Sequence, residues 1–352
     1  SPFILAKFSF KLLDEKIYAR PFSIGPAVIS LIKLNSNFED MSQIHSACKS
    51  TDALQKIIST LCKIPLLLKM MEICPIADVE IESILKFLRS QILNMINNLS
   101  NSQENLRFIS ALALQCFTNE YIYDETEEDK KNLKALISEV SDTLAKGGQP
   151  SSTKIACLGC FSPLYKYEWH NNLNTEEISG LITRQVSEIN IENELKQSMP
   201  ILSNITDTIS TKVKAQYESY PYPRWVNLQL PMFAKTIRDV IEESKLKVYD
   251  PVIFDCLKPK VLVAGCGTGQ HSIQTAKRFK DCHVLAIDLS TSSLAHAKRK
   301  SDEFGLRNIK YMQADILDLP KLSEQFDIIE SFGVLHHMND PIAGWQSLIE
   351  CL

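Results

Sequence analysis

Lys258-Pro-Lys-Val-Leu-Val-Ala-Gly-Cys-Gly-Thr-Gly-Gln-His271 decides the fold of this chain. Val261, Leu262, Val263 and Ala264 form a short apolar run between Pro259 and Gly265, the mark of a strand buried on both faces of a parallel sheet. Gly265, Gly267 and Gly269 then supply a tight turn in which no Cβ keeps backbone N–H groups away from a ligand. Helical periodicity over 272–279 puts that turn at a helix N-terminus. A second apolar run, 283–287, ends in Asp288, 19 residues beyond Gly269. An acid at the tip of a second strand can accept two hydrogen bonds from the vicinal hydroxyls of a ribose. Strand, glycine loop, helix, strand and terminal acid in this order describe a nucleoside site.

The glycine spacing narrows the nucleoside. A dinucleotide fingerprint has Gly-x-Gly-x-x-Gly, whereas here the fifth position is Gly269 and the sixth is Gln270. The resulting Gly-x-Gly-x-Gly closely resembles the class I S-adenosylmethionine-dependent methyltransferases, in which the loop passes the methionine part of the cofactor. The resemblance implies S-adenosyl-L-methionine as cofactor, with Gly265, Cys266, Gly267, Thr268, Gly269, Asp288 and Leu289 around it. It also implies that Asp315, after a third strand at 308–313, hydrogen-bonds the adenine amino group while Ile316 packs on the ring; the plainer reading of Asp315 is a loop acid.

Phe326 to Met338 reads as a fourth strand and its exit, which in this superfamily faces the transferable methyl group. Enzymes that methylate base amines or glutamine side chains commonly carry an Asn/Asp-Pro-Pro-Tyr/Phe motif there. This chain has Glu330-Ser331-Phe332-Gly333, with Ser331 and Gly333 as cofactor contacts, so a small-molecule or side-chain O, C or N acceptor fits better than a nucleobase amine. His336 and His337 resemble the Leu-His-His endings of many small-molecule methyltransferases. One of them can serve as general base, since an ordinary histidine pKa of about 6.5 suits proton removal near neutrality. The plainer reading has one bonded to loop backbone and the other solvated.

The totals set outer limits. A 352-residue chain with 45% hydrophobic and 23% charged residues has room for two domains, and a net charge of −4 gives no basic field for nucleic acid. No run of 18 apolar residues exists; the nearest, 61–74, contains Lys63, Lys69, Glu72 and Pro65. With no secretory leader pattern at Ser1 and ten scattered cysteines placed in apolar patterns, a cytoplasmic protein with reduced core thiols is expected. Cys157 and Cys160 form one C-x-x-C without a second ligand pair, so no metal site is expected.

Five glycines fall in the first 254 residues and six in the last 98, which fits a helical region followed by a turn-rich α/β unit. In residues 1–77 helices are expected at 26–34 and 51–71. Asp78 caps a helix whose apolar positions run from Ile81 to Leu99; a second helix covers 103–117. A third opens at Thr126 with Asp129 in the capping-box position and continues to Gly147. Further helices are expected at 175–189 and 204–218.

Ala111 to Tyr123 and, more strongly, Gln216-Tyr-Glu-Ser-Tyr-Pro-Tyr-Pro-Arg-Trp225 resemble bacterial proteins that join tetratricopeptide repeats to a C-terminal methyltransferase. Two prolines alternating with tyrosines force an extended path. That path is either a stiff linker packing its aromatics on the next domain, or a lid in which Tyr217, Tyr222, Arg224 and Trp225 line the acceptor pocket or present a cation–π face to the sulfonium.

The reading is therefore α/β: an all-helical domain at 1–215, a Tyr/Pro-rich linker or lid at 216–230, and a partial Rossmann-like methyltransferase domain at 231–352 holding parallel strands 1–4 of a doubly wound sheet. The family's seven strands run 3-2-1-4-5-7-6, and both chain ends look like those of a fragment; a helix opened by Asn339 or Asp340 and Pro341 is still running at Leu352. The isolated chain is expected to be a poor enzyme. A protein partner through the helical region is expected, with no membrane and no clear nucleic-acid partner. The alternative is a non-catalytic module that senses the nucleoside or binds a partner, with the helical region as its recruitment domain.

Overall fold

The computed structural model describes every residue except Asp40, Ser42, Gln43, Asn174, Thr175 and Tyr220, and the side chain of Ser219. The chain forms two units, one of Ser1–Ile189 with Trp225–Leu228 and one of Asn190–Arg224 with Gln229–Leu352.

The first unit is helical. Its core runs from Leu13 through Leu54, Met71, Leu88, Leu112 and Leu158 to Val186. Residues 1–77, where the sequence pattern is poorest, hold helices at Pro2–Asp14, Pro21–Lys33, Thr51–Cys62 and Pro65–Ile73. The single helix expected over 51–71 is thus broken at Pro65, whose ring cannot sit inside a helix but suits a first turn. Val79–Met95 is capped by Asp78, which accepts from the Ile81 N–H at 3.1 Å; a 3₁₀ turn, Ile96–Asn98, replaces its expected last residues. Gln103–Thr118 ends where Glu120 and Tyr121 both take left-handed φ, 59° and 56°. Glu127–Ala145 has the full capping box, with the Asp129 N–H donating to Thr126 Oγ1 and the Thr126 N–H to Asp129 Oδ2, both at 3.0 Å. Over the expected 175–189 helix, Thr175 lies outside the described residues. The rest is short turns, Glu176–Ile178 and Ser179–Ile182, and a π-helical turn, Thr183–Ser187, leading into Glu188–Gln197.

The second unit holds a four-stranded parallel sheet in the order β3-β2-β1-β4, with β1 Lys260–Ala264, β2 His283–Asp288, β3 Ile309–Gln313 and β4 Ile328–Ser331. This is the Rossmann-like order, and the register sets Val261 opposite Val284 on one side and Ile328 on the other. Period-2 alternation sorts the side chains onto two covered faces. Val261, Val263, Val284 and Ala286 pack with Ala276, Leu294 and Ala297 of the helices Gln270–Arg278 and Thr291–Glu303. Leu262, Ala264 and Ile287 pack with Ile316, Leu319 and Leu348 on the opposite face. The last helix, Pro341–Ile349, is capped by Asp340 rather than Asn339 and ends before Leu352, not beyond it as expected.

The division between the units differs from the expected boundary at 215. Asn190–Arg224 groups with the sheet because the helix Thr208–Ser219 packs on Thr291–Glu303, and the Leu202 N–H donates to Gln313 O at 2.9 Å at the open edge of β3. Within the expected 216–230 linker, Tyr220 lies outside the described residues, and Trp225–Leu228 belong to the helical unit.

Candidate functional site

β1 ends where the Gly265 and Cys266 N–H groups both donate to Ile287 O, at 2.8 and 2.9 Å, which ties the glycine loop to the end of β2. All three loop glycines have left-handed φ, +76°, +52° and +89°. A Cβ on Gly265 would lie 2.2 Å from Val334 Cγ2, and one on Gly269 would lie 2.5 Å from Ala297 Cβ. Gly267 meets nothing within 4 Å. The outer two glycines therefore let the loop pack, and the middle one leaves open space at its crest.

That space is a cavity of about 220 Å³. Gly265, Gly267 and Gly333 line its loop side, Asp288, Leu289, Asp315 and Ile316 the ends of β2 and β3, and Tyr217, Tyr222 and His337 also reach it. Asp288 Oδ2 accepts from the Gly267 N–H at 2.8 Å and Oδ1 from the Ser290 N–H at 2.9 Å. Burial pushes this carboxyl above its usual range, against the lowering by those two N–H groups. Each oxygen keeps a second lone pair for a ribose hydroxyl. Asp315 is buried at the head of the 3₁₀ turn Ile316–Leu322, its Oδ1 accepting from the Leu317 N–H at 3.0 Å.

Other sequence-picked residues lie beside the cavity instead of on its wall. Cys266 is buried in the sheet core, and burial pushes its thiol well up. Thr268 Oγ1 donates to Pro223 O at 2.9 Å. Ser331 Oγ, at the end of β4, is buried without a hydrogen-bond partner. His336 stands against His337, ring centroids 4.0 Å apart, but only His337 reaches the wall. Arg224 does not line the cavity as expected, because its guanidinium is drawn to the Glu192 carboxylate at 2.9 Å. Trp225 is buried and belongs to the helical unit, so of the four residues of the lid reading only Tyr217 and Tyr222 line the cavity. Cys157 and Cys160 are buried free thiols, and Cys160 Sγ donates to Ala156 O at 3.4 Å.

Several site residues had no local signal. Ile209, Ser210 and Val213 project from Thr208–Ser219 into the wall, and Phe332, Val334 and Met338 close it beyond β4. Glu218, on the same helix, accepts from Ser290 Oγ at 3.1 Å, Thr291 Oγ1 at 2.7 Å and the Ser292 N–H at 3.3 Å. It thereby seats a carboxylate at the positive end of the helix Thr291–Glu303. Burial raises its pKa, but the bonds from Lys196, Thr291 and the Ser292 N–H win and hold it at about 2. Within β4, Glu330 takes His271 Nε2 at 2.8 Å together with Thr275 and Arg278, and these partners outweigh burial to keep it ionised.

Residues 261–352 match the methyltransferase domain family. The chain is 36% identical over 92 residues to an uncharacterized protein of Synechococcus sp., covering 26% of this chain and 22% of that one. It is also 36% identical over 81 residues to trans-aconitate 2-methyltransferase of Deinococcus radiodurans, covering 23% and 29% respectively. Among solved structures, magnesium protoporphyrin IX methyltransferase of Synechocystis, with bound S-adenosylmethionine, is similar at 24% identity and a TM-score of 0.30, covering 42% of this chain and 74% of that one. The match to these two curated relatives spans less than a third of either one's length. The sheet unit thus carries a methyltransferase domain of the S-adenosylmethionine-dependent kind.

Proposed function

We propose that the sheet unit binds S-adenosylmethionine in the cavity above Gly267 and transfers its methyl group to a small-molecule acceptor. The carrying observation is the open cradle at Gly267, where a Cβ would meet nothing within 4 Å, hydrogen-bonded directly to Asp288, an acid that lines the same cavity. These residues fit the group: the loop takes the methionine portion, Asp288 the ribose hydroxyls, and Asp315 with Ile316 the base. When bound, the sulfonium supplies an already activated methyl group.

What the chain contributes is then position. Holding donor and acceptor in line is worth effective molarities of about 10⁵ to 10⁸ M in general. Phe332, Val334 and Met338 give the far wall an apolar lining, and His337, on the same wall, takes a proton from a hydroxyl or an acidic carbon. An acceptor of that kind agrees with the Glu330-Ser331-Phe332-Gly333 sequence and with the small acid named for the Deinococcus relative.

Under the same proposal the helical unit recruits a protein partner, as the likeness of Gln216 to Trp225 to repeat-bearing methyltransferases suggests. Ten free thiols favour a reducing, cytoplasmic setting, and among the described residues no helix is long and apolar enough to cross a membrane. The test is calorimetry of the full chain with S-adenosylmethionine and S-adenosylhomocysteine, followed by transfer of labelled methyl from the donor into a metabolite extract. Binding with transfer supports the enzyme; binding without transfer turns the reading to a nucleoside sensor; absence of binding overturns it.

A further inference from the structure

Tyr222 lines the cavity although the residue is 64% exposed, and the two residues after it are each held by a partner on the sheet unit. Pro223 O accepts from Thr268 Oγ1 of the glycine loop at 2.9 Å. Arg224 Nη1 reaches Glu192 Oε2, also at 2.9 Å.

Glu192 is a buried carboxylate that gathers three elements. Besides Arg224, it accepts from Arg299 Nε and His296 Nδ1 through Oε1, each at 2.9 Å. Arg299 and His296 lie on Thr291–Glu303, the helix that follows the ribose acid Asp288. Glu192 lies on Glu188–Gln197, remote from the cavity. A buried carboxylate with this many partners resists displacement, because removing one partner leaves a charge in low dielectric.

We propose that Glu192 and Arg224 are positioning residues for the methyl donor: their ion pair holds Tyr222 and Pro223 across the cavity as a strap that slows release of the nucleoside. The proposal rests on the cofactor reading above. It assigns Arg224 a task different from contact with the acceptor, and it gives Glu192 a task outside the catalytic wall. Exchange of the nucleoside then requires the strap to lift, with the Arg224–Glu192 pair and the Thr268–Pro223 bond opening together.

The test follows S-adenosylhomocysteine binding to the full chain by stopped-flow displacement, with wild type, Glu192→Gln, Arg224→Ala, Arg224→Lys and Tyr222→Ala. Arg224→Ala and Glu192→Gln are expected to raise the dissociation rate by about tenfold with little change in the association rate, the scale of one charged hydrogen bond. Arg224→Lys restores part of the loss, because it keeps the charge but not the fork. Tyr222→Ala, at an exposed side chain that the fold does not depend on, shows the same acceleration. In the ligand-free chain, hydrogen exchange over 221–226 rises in Arg224→Ala. Wild-type binding with unchanged dissociation in Arg224→Ala and Tyr222→Ala overturns the strap and leaves the cofactor reading standing. Failure of the wild-type chain to bind removes the cofactor reading, and the strap with it.

Discussion

The Gly267 N–H donates to Asp288 Oδ2 from 2.8 Å, so the ribose acid and the crest of the glycine loop hold each other in place. Asp288→Ala removes this tie and the acceptor for the ribose together. Affinity for S-adenosylhomocysteine is expected to fall by roughly 1.5 to 3 kcal/mol, the range for a hydrogen bond to a charged group. Asp288→Asn serves as the sharper probe, since its amide can still accept from the Ser290 N–H but then turns an NH₂ toward Gly267. Calorimetry that finds both variants equal to wild type would reduce Asp288 to a prop for the loop.

The three glycines are expected to fail in different ways. Gly265→Ala puts a methyl 2.2 Å from Val334 Cγ2 at a φ of +76° and should destabilise the sheet unit by about 2 kcal/mol or more. Trimming the obstacle in a Gly265→Ala, Val334→Ala pair should return the packing part of that loss and leave the backbone part. Gly267→Ala has room, so its cost to stability is only the left-handed strain of about 1 to 2 kcal/mol, while the added methyl fills the cradle and weakens binding. Melting curves beside nucleoside titrations separate the two effects; equal stability losses at 265 and 267 with no loss of binding at 267 would contradict the cradle.

The two histidines after β4 are distinguished by position. His337 lines the cavity and His336 does not. In the labelled-methyl assay, His337→Asn should lower turnover by roughly 10²-fold, the lower end of general acid–base contributions, with binding of the donor retained. His336→Asn should stay close to wild type. The reverse ranking would move the proton acceptor to His336 and imply that the Leu335–His337 turn rearranges around the acceptor.

What could be read from the sequence followed from how strongly each feature is encoded locally. The four strands and the loop between β1 and its helix are written in near-continuous apolar runs ended by glycine or acid, because strands covered on both faces tolerate little else, whereas their order in the sheet came from the family resemblance. The Thr126–Asp129 capping box is local in the same way. The break at Pro65 was legible in principle, since proline in a helix interior is costly, but the apolar run on either side masked it. The walls contributed by Ile209, Ser210 and Val213 had no such signal, as they face the cavity only because Thr208–Ser219 packs on Thr291–Glu303. Arg224 beside tyrosines suggested a cation–π face; its actual partner, Glu192, is 32 residues earlier, and no spacing rule links the two. Long-range ion pairs of this kind are decided by packing and leave no periodic trace.

The Glu192 cluster also predicts how the sheet unit responds to acid. His296 faces Glu192 and Arg299 within its own cluster, and Arg224 from the strap; burial, reinforced by the two arginine charges, outweighs the Glu192 hydrogen bond and pulls its pKa from 6.5 down to about 4. Between those values the unfolded chain takes up a proton that the folded one refuses, so stability rises with pH through that window and is lost as pH falls across it. Glu192 behaves in the opposite chemical sense with the same outcome further down. Burial opposes its ionisation, but the His296 bond and the Arg224 and Arg299 charges hold its pKa well below the usual range. Its contribution is therefore complete above an unfolded value of about 4.3 and is lost only in stronger acid. From neutrality to pH 5 the slope within this cluster belongs to His296, and its loss is on the order of 2 kcal/mol. The check is denaturant unfolding of wild type and His296→Gln at matched pH values from 7 to 5. Glutamine can donate to Glu192 but does not titrate, so the variant should start less stable at pH 7 and lose less on acidification. Parallel curves for the two proteins would mean that His296 titrates alike in the folded and unfolded chain, and a wild type that gains stability on acidification relative to the variant would mean that it is already protonated when folded, in an ion pair with Glu192.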